Sequence, residues 1–185
     1  MKFCIFGAGG TGGVLAAYLA MAGNNVTVIA RGAHLAAIQE HGLTLRTNHR
    51  GTEQIKSVKA CTAEEYHDVP DVLLVCVKYY NIEDAIAFAQ EKMSADVLIV
   101  PVLNVFGTGG VMQEKLPEFT CLDGCIYVMG EIASQGVIYQ SDKMLRVIFG
   151  YRPQQEVRLL SERTLTRQVK SFKWNAWWHW DRNTV

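Results

Sequence analysis

Six consecutive residues near the start of the chain, Gly7, Ala8, Gly9, Gly10, Thr11 and Gly12, have the types and spacing to hold a phosphate group. They spell G-x-G-x-x-G. An apolar stretch at 3–6 precedes them, and a helical pattern through Val14, Leu15, Tyr18 and Leu19 follows. Each glycine has its own reason. Gly7 permits a tight turn. Gly9 lets a pyrophosphate approach the backbone. Gly12 lets the helix sit close to the strand, with free N–H groups at its N-terminus facing the phosphates. The motif alone is weak, but strand, loop, helix and a second apolar stretch at 26–30 arrive in the required order. The chemistry is capture of a dinucleotide by backbone amides.

Three side chains stand where such a ligand would extend. The residue ending the second strand meets the adenosine ribose, where an acid suits a free 2′-OH and a base suits a 2′-phosphate. The strand here ends Ile29-Ala30-Arg31-Gly32, and the next acid is Glu40. Arg31 offers a bidentate fork to a phosphate, so NADPH is expected over NADH. The plainer reading is a solvated residue at a helix start, a mildly unfavourable place for a cation unless an anion arrives. Lys78 follows an apolar run at 72–77, and Asn104 follows another at 97–102. Both fall at strand C-termini, where open α/β sheets bind ligands. The alternatives are a surface lysine and a turn asparagine.

These residues need a scaffold, and the pattern supplies one. Strands are predicted at 3–6, 26–30, 72–77 and 97–100. Helices are predicted at 10–22, 33–40, 83–92 and 110–116. Alternating stretches at 43–47 and 54–58 flank a turn and suggest a hairpin. Further strands are predicted at 120–129, 136–140 and 144–149. Strand and helix units in alternation imply parallel strands with right-handed crossovers. The expected fold is α/β, a doubly wound Rossmann-type parallel sheet, forming an NADP-binding domain over residues 1–150.

Composition narrows the rest. The 185 residues carry 18 Lys+Arg and 18 Asp+Glu, which argues against a nucleic-acid binder with a basic footprint. The odd set Cys4, Cys61, Cys76, Cys121 and Cys125 contains no C-x-x-C and reads as reduced thiols of a cytoplasmic protein. Cys121 and Cys125 lack a second pair at ligand spacing, and His34, His41, His49, His67 and His179 are scattered, so no metal site is expected. The glycine cluster rules out reading the N-terminus as a secretory signal. No apolar run is long enough to span a membrane.

Together, 7–13, 26–32 with His34-Leu35, Val75-Cys76-Val77-Lys78 and Pro101-Val102-Leu103-Asn104 resemble the ketopantoate reductases, as does 127–131 with 135–138. The resemblance covers about residues 1–150. It implies reduction of 2-dehydropantoate to pantoate with NADPH, in pantothenate and coenzyme A biosynthesis. It implies that residues 7–12 hold the pyrophosphate and Arg31 the 2′-phosphate. Lys78 and Asn104 would meet the nicotinamide side, Asn104 also the substrate, and Glu131 the cofactor. It further implies a lysine proton donor in a helical C-terminal domain, so no catalytic residue is assigned in this chain; Lys170 and Lys173 do not match the motif. Val105 and Phe106 depart from the family's usual Asn-Gly step after Pro-x-x.

After residue 150 the character changes. Residues 152–173 are polar with weak helical spacing, and Trp174, Trp177, Trp178 and Trp180 fall within seven residues. This tail is too short for a core of its own. It reads as a truncated or divergent stump of the helical domain, a shifted reading frame, or an interaction segment. Two further functions stay open: an NADP(H)-binding module without turnover, and a related reductase for another 2-keto acid. The oligomeric state is open too, a homodimer being one option.

Overall fold

Phe3 and Ile5 of the first strand face one hydrophobic core, and Cys4 and Phe6 face another. That alternation is what a strand covered on both faces requires. The computed structural model describes residues 1–152 and the two-residue strand His179–Trp180.

In chain order the elements are β1 (Lys2–Phe6), α1 (Gly10–Met21), β2 (Asn25–Ile29), α2 (Gly32–His41), β3 (Leu43–Thr47), β4 (Gly51–Ile55), β5 (Val58–Cys61) and β6 (Val72–Val75). A 3-10 turn (Tyr79–Asn81) leads to α3 (Ile82–Lys92), β7 (Leu98–Pro101), α4 (Thr108–Lys115), β8 (Thr120–Cys121), β9 (Asp123–Ser134), β10 (Val137–Gly150) and β11 (His179–Trp180). Six strands form a sheet in the order β5-β2-β1-β6-β7-β8, and every neighbouring pair is parallel. With the hairpin strands set aside, this is the doubly wound order 3-2-1-4-5-6. The chain reverses direction across the sheet between β1 and β6, so the ligand crevice is expected there.

One face of this sheet packs on Ile82, Ile86 and Phe88 of α3 and Met112 of α4. The other packs on Val14, Leu15 and Leu19 of α1. Helix α1 is buried on nearly every side, because a second sheet covers its far face. That sheet contains β3, β4, β9, β10 and β11, and contributes Leu43, Leu45, Ile126 and Ile138 to the same core. A helix apolar all round is a buried helix. Its C-terminus closes with Gly23 N–H to the Ala20 carbonyl and Asn24 N–H to Leu19, the paired bonds of a Schellman ending.

Several boundaries differ from the sequence reading. The predicted stretch at 54–58 splits: β4 ends at Ile55, and β5 begins at Val58 as the edge strand beside β2. The run at 72–77 is strand only to Val75. The two stretches at 136–140 and 144–149 are one strand, β10, with a register irregularity between Gln140 and Leu145. The stretch at 120–129 divides between β8 and β9. Expectations for the tail lie outside the described residues, apart from the parallel pairing of His179 and Trp180 with Ile148 and Phe149 of β10.

Candidate active site

The sheet brings four strand ends side by side. Phe6 is in register with Ile29 on one side and Val75 on the other, and Val75 with Pro101. Beyond those ends come, in spatial order, Arg31 after β2, the glycine loop after β1, Lys78 after β6 and Asn104 after β7. Adjacent strands lie about 4.8 Å apart, so β2 to β7 spans roughly 14 Å.

The glycine loop is built by close backbone approach. Gly7 has φ +106°, and its N–H donates to the Ile29 carbonyl at 3.3 Å. A Cβ at Gly7 would meet Val77 Cγ1 at 2.9 Å, and one at Gly12 would meet the Gly7 carbonyl oxygen at 1.9 Å. Helix and strand therefore touch at Gly12. A Cβ at Gly10 would lie 2.0 Å from the Gly130 carbonyl oxygen and 2.8 Å from Glu131 Cα. So Gly10 is also where α1 meets β9, and exposed Glu131 flanks the helix start through its backbone. Gly9 differs from all of these, since a Cβ there meets nothing within 4 Å among the described residues.

The amides of this loop begin helix α1. The Gly9 carbonyl accepts the first helical bond, from Gly13 N–H at 2.7 Å. The N–H groups of Gly9, Gly10, Thr11 and Gly12 have no hydrogen-bond partner among the described residues, as the geometry of a helix start dictates. No side chain caps α1, and no acid sits in its first turn. Helix α2 is alike: Arg31 is its N-cap residue, without a side-chain cap or an early acid. By contrast, α3 carries Glu83 and Asp84 in its first turn. Among the described residues, no acid or side-chain cap compensates the positive ends of α1 and α2. These features fit an anionic, phosphate-bearing ligand.

Arg31 and Lys78 are exposed, and neither has an ion-pair partner among the described residues. Asn104 is exposed on the loop between β7 and α4. The Val102 N–H donates to the Val75 carbonyl at 3.0 Å and ties that loop's root to β6. Phe106 is 98% exposed and Tyr80 81% exposed, so an apolar rim borders Lys78 and Asn104. All five cysteines are free. Among the described residues, no group of acids, histidines and cysteines could hold a metal, and no helix is long and apolar enough to cross a membrane.

One residue at this edge was not foreseen as part of the site. His34, one turn after Arg31, bonds the Ala8 carbonyl through Nε2 and the Gly136 amide through Nδ1, each at 3.0 Å. From the sequence, the histidines are considered as metal ligands and His34 as part of the family resemblance, with no role at the site. The available signal was helical spacing, since positions three apart on α2 share a face.

Comparison with known proteins covers the same part of the chain. The model of the family described as "Ketopantoate reductase PanE/ApbA" matches residues 3–154. A 2-dehydropantoate 2-reductase of Mesorhizobium japonicum is 41% identical over 159 residues, 75% of this chain and 48% of that protein. The chain spans about half the length of that relative. The crystal structure of 2-dehydropantoate 2-reductase from Porphyromonas gingivalis W83 superposes with a TM-score of 0.82 at 25% identity, covering 99% of this chain and 64% of that one. A D-mandelate dehydrogenase structure with NADH and anilino(oxo)acetate has a TM-score of 0.80 at 20% identity, covering 99% and 57%, a likeness of fold alone. A glycine loop at the end of β1, a doubly wound sheet and a family match over residues 3–154 lead to one conclusion: the chain belongs to the ketopantoate reductase PanE/ApbA family.

Proposed function

We propose that this chain is the coenzyme-binding half of an NADPH-dependent reductase that converts 2-dehydropantoate to pantoate, in the cytoplasmic route to pantothenate and coenzyme A. Residues 1–150 make the coenzyme domain. The observation that carries this reading is the order of groups along the sheet edge. A guanidinium stands after β2, unpartnered amides and open space at Gly9 after β1, then Lys78 and Asn104 after β6 and β7. A dinucleotide laid along that edge has its 2′-phosphate at Arg31, its pyrophosphate on residues 7–12 and its nicotinamide near Lys78 and Asn104. One relative of the same fold is described with NADH, so the fold alone does not choose the coenzyme. The choice falls to Arg31 and to the absence of any acid before Glu40.

When bound, the nicotinamide supplies the hydride for reduction of a ketone carbon. The chain's own residues bind and orient. The loop amides and Arg31 neutralise phosphate charge. Lys78 adds a mobile cation, Glu131 flanks the elbow, and Asn104 offers a donor and an acceptor to the keto acid. No described residue is assigned as proton donor.

NADPH fluorescence titration tests the coenzyme reading; tighter binding of NADH than of NADPH would overturn it. A steady-state assay with ketopantoate is expected to give little or no turnover from this chain alone. Val105 and Phe106, 42% and 98% exposed beside Asn104, favour as a second reading a related reductase for another 2-keto acid. A panel of 2-keto acids, assayed with the catalytic half supplied, separates the two. An NADP(H)-binding module without turnover would bind coenzyme and stay silent with every substrate.

A further inference from the structure

The His34 imidazole uses both ring nitrogens on backbone partners from two other elements. The Gly136 N–H donates to Nδ1 at 3.0 Å, so Nδ1 is the unprotonated nitrogen. Nε2, 3.0 Å from the Ala8 carbonyl oxygen, then carries the proton and donates it. Ala8 lies between the first two glycines of the motif, and Gly136 is the turn between β9 and β10. The turn is itself held: the Gly136 carbonyl accepts from Thr44 N–H of β3 at 2.9 Å. A Cβ at Gly136 would lie 3.0 Å from Ala37 Cβ of α2. His34 thus ties the glycine loop, α2 and the second sheet together at one point.

We propose that His34 is a positioning residue for the coenzyme, acting through the Ala8–Gly9 peptide plane. The inference rests on the reading that the elbow binds a dinucleotide. In a trans peptide the carbonyl and the next N–H share a plane and point opposite ways. Drawing the Ala8 carbonyl toward α2 therefore turns the Gly9 N–H to the opposite side. Without the imidazole that plane is free to rotate, and the amide must be re-ordered whenever ligand binds.

Holding Gly136 and Ala8 together needs a neutral ring, whereas the Nε2–H bond to Ala8 alone survives protonation. Burial disfavours the charged form and lowers the pKa below the ordinary 6.5, while the Ala8 carbonyl acts weakly the other way. The glycine loop carries no charged group. Arg31 on α2 and Glu131 on β9 are the charged residues nearest in sequence to the contacts, and neither is a cause of the shift. Protonation would place an Nδ1–H against the Gly136 N–H and break that bond.

The test is NADPH titration of the 185-residue chain and of His34→Ala across neutral to mildly acidic pH, at temperatures where both are folded. The coenzyme's own 2′-phosphate titrates identically in both, so the difference between the profiles is what counts. His34→Ala is expected to bind NADPH about tenfold more weakly at neutral pH, and the size of that gap is expected to change at acidic pH, as the wild-type imidazole gains its proton and releases Gly136 while keeping Ala8. A merely structural histidine would lower the melting temperature and leave the dissociation constant and its pH profile alone; that result overturns the proposal. If wild type binds neither coenzyme, the reading of the elbow fails instead. Should His34→Ala not fold, 15N NMR of the wild-type ring decides: an Nδ1-protonated tautomer overturns the clamp, and an Nε2-protonated one supports it.

Discussion

Gly9→Ala should leave the folded chain almost untouched and sharply weaken coenzyme binding. A Cβ on Gly9 meets nothing within 4 Å among the described residues, and its φ of −71° and ψ of −168° are open to any L-residue. Two small effects on stability oppose each other. The less flexible unfolded chain contributes about 0.4–1 kcal/mol in favour. Alanine is a poorer N-cap than glycine, which costs on the order of 0.5 kcal/mol. The net change stays within about 0.5 kcal/mol, or roughly 2 °C in melting temperature. The coenzyme meets a different surface, because the methyl fills the space a pyrophosphate would take against the amides. A loss of about 100-fold in affinity, near 2.7 kcal/mol, is expected. Gly12→Ala is the contrasting control. Its Cβ would fall 1.9 Å from the Gly7 carbonyl oxygen, so backbone must move at a cost of about 1–3 kcal/mol or more, and stability and binding fall together. Thermal melts and NADPH fluorescence titrations on the three proteins decide the matter. A Gly9→Ala chain that binds NADPH as well as wild type, or that melts as low as Gly12→Ala, would refute the reasoning.

Arg31→Ala should weaken NADPH by about 10- to 100-fold and NADH by less than about twofold, since only one coenzyme has a phosphate for the fork; equal losses in paired titrations would remove Arg31 from the site. Gln140 is fully buried, accepts from Tyr18 Oη at 3.0 Å and donates to the Met144 carbonyl at 3.1 Å. Gln140→Ala should therefore cost about 2 kcal/mol by removing both bonds from a buried site, lowering the melting temperature by roughly 4–8 °C. Stability should decline as pH falls below 6.5, because the unfolded chain takes up a proton that the folded His34 refuses; melts of wild type and His34→Ala that lose stability in parallel would contradict this. Cys4 and Cys121 are fully buried, with thiols pushed far up and up to about 12 respectively by burial. Both should resist iodoacetamide in the folded chain, and peptide mass spectrometry after native labelling would expose an error.

The parallel sheet was legible because its strands are short apolar runs punctuated by glycine, and because the glycine loop announces the first βα unit. The second sheet was harder to see. Its long ribbon, β9 with β10, is interrupted by the polar residues Ser141, Asp142 and Lys143 where the register shifts, and so reads locally as two strands. β5 was merged with the hairpin because the Lys56-Ser57 step between them has no glycine or proline. At the site, spacing gave the residues along the sheet edge. It could not show that Gly10 meets Gly130, or that His34 reaches Ala8 and Gly136, because these contacts join positions 26 to 120 residues apart.

A crystal structure of this chain grown with NADPH tests the central claim most directly. The account predicts the pyrophosphate on the amides of residues 9–12 and the Arg31 guanidinium on the 2′-phosphate. Coenzyme bound away from that loop, or an Arg31 turned from the phosphate, would contradict it.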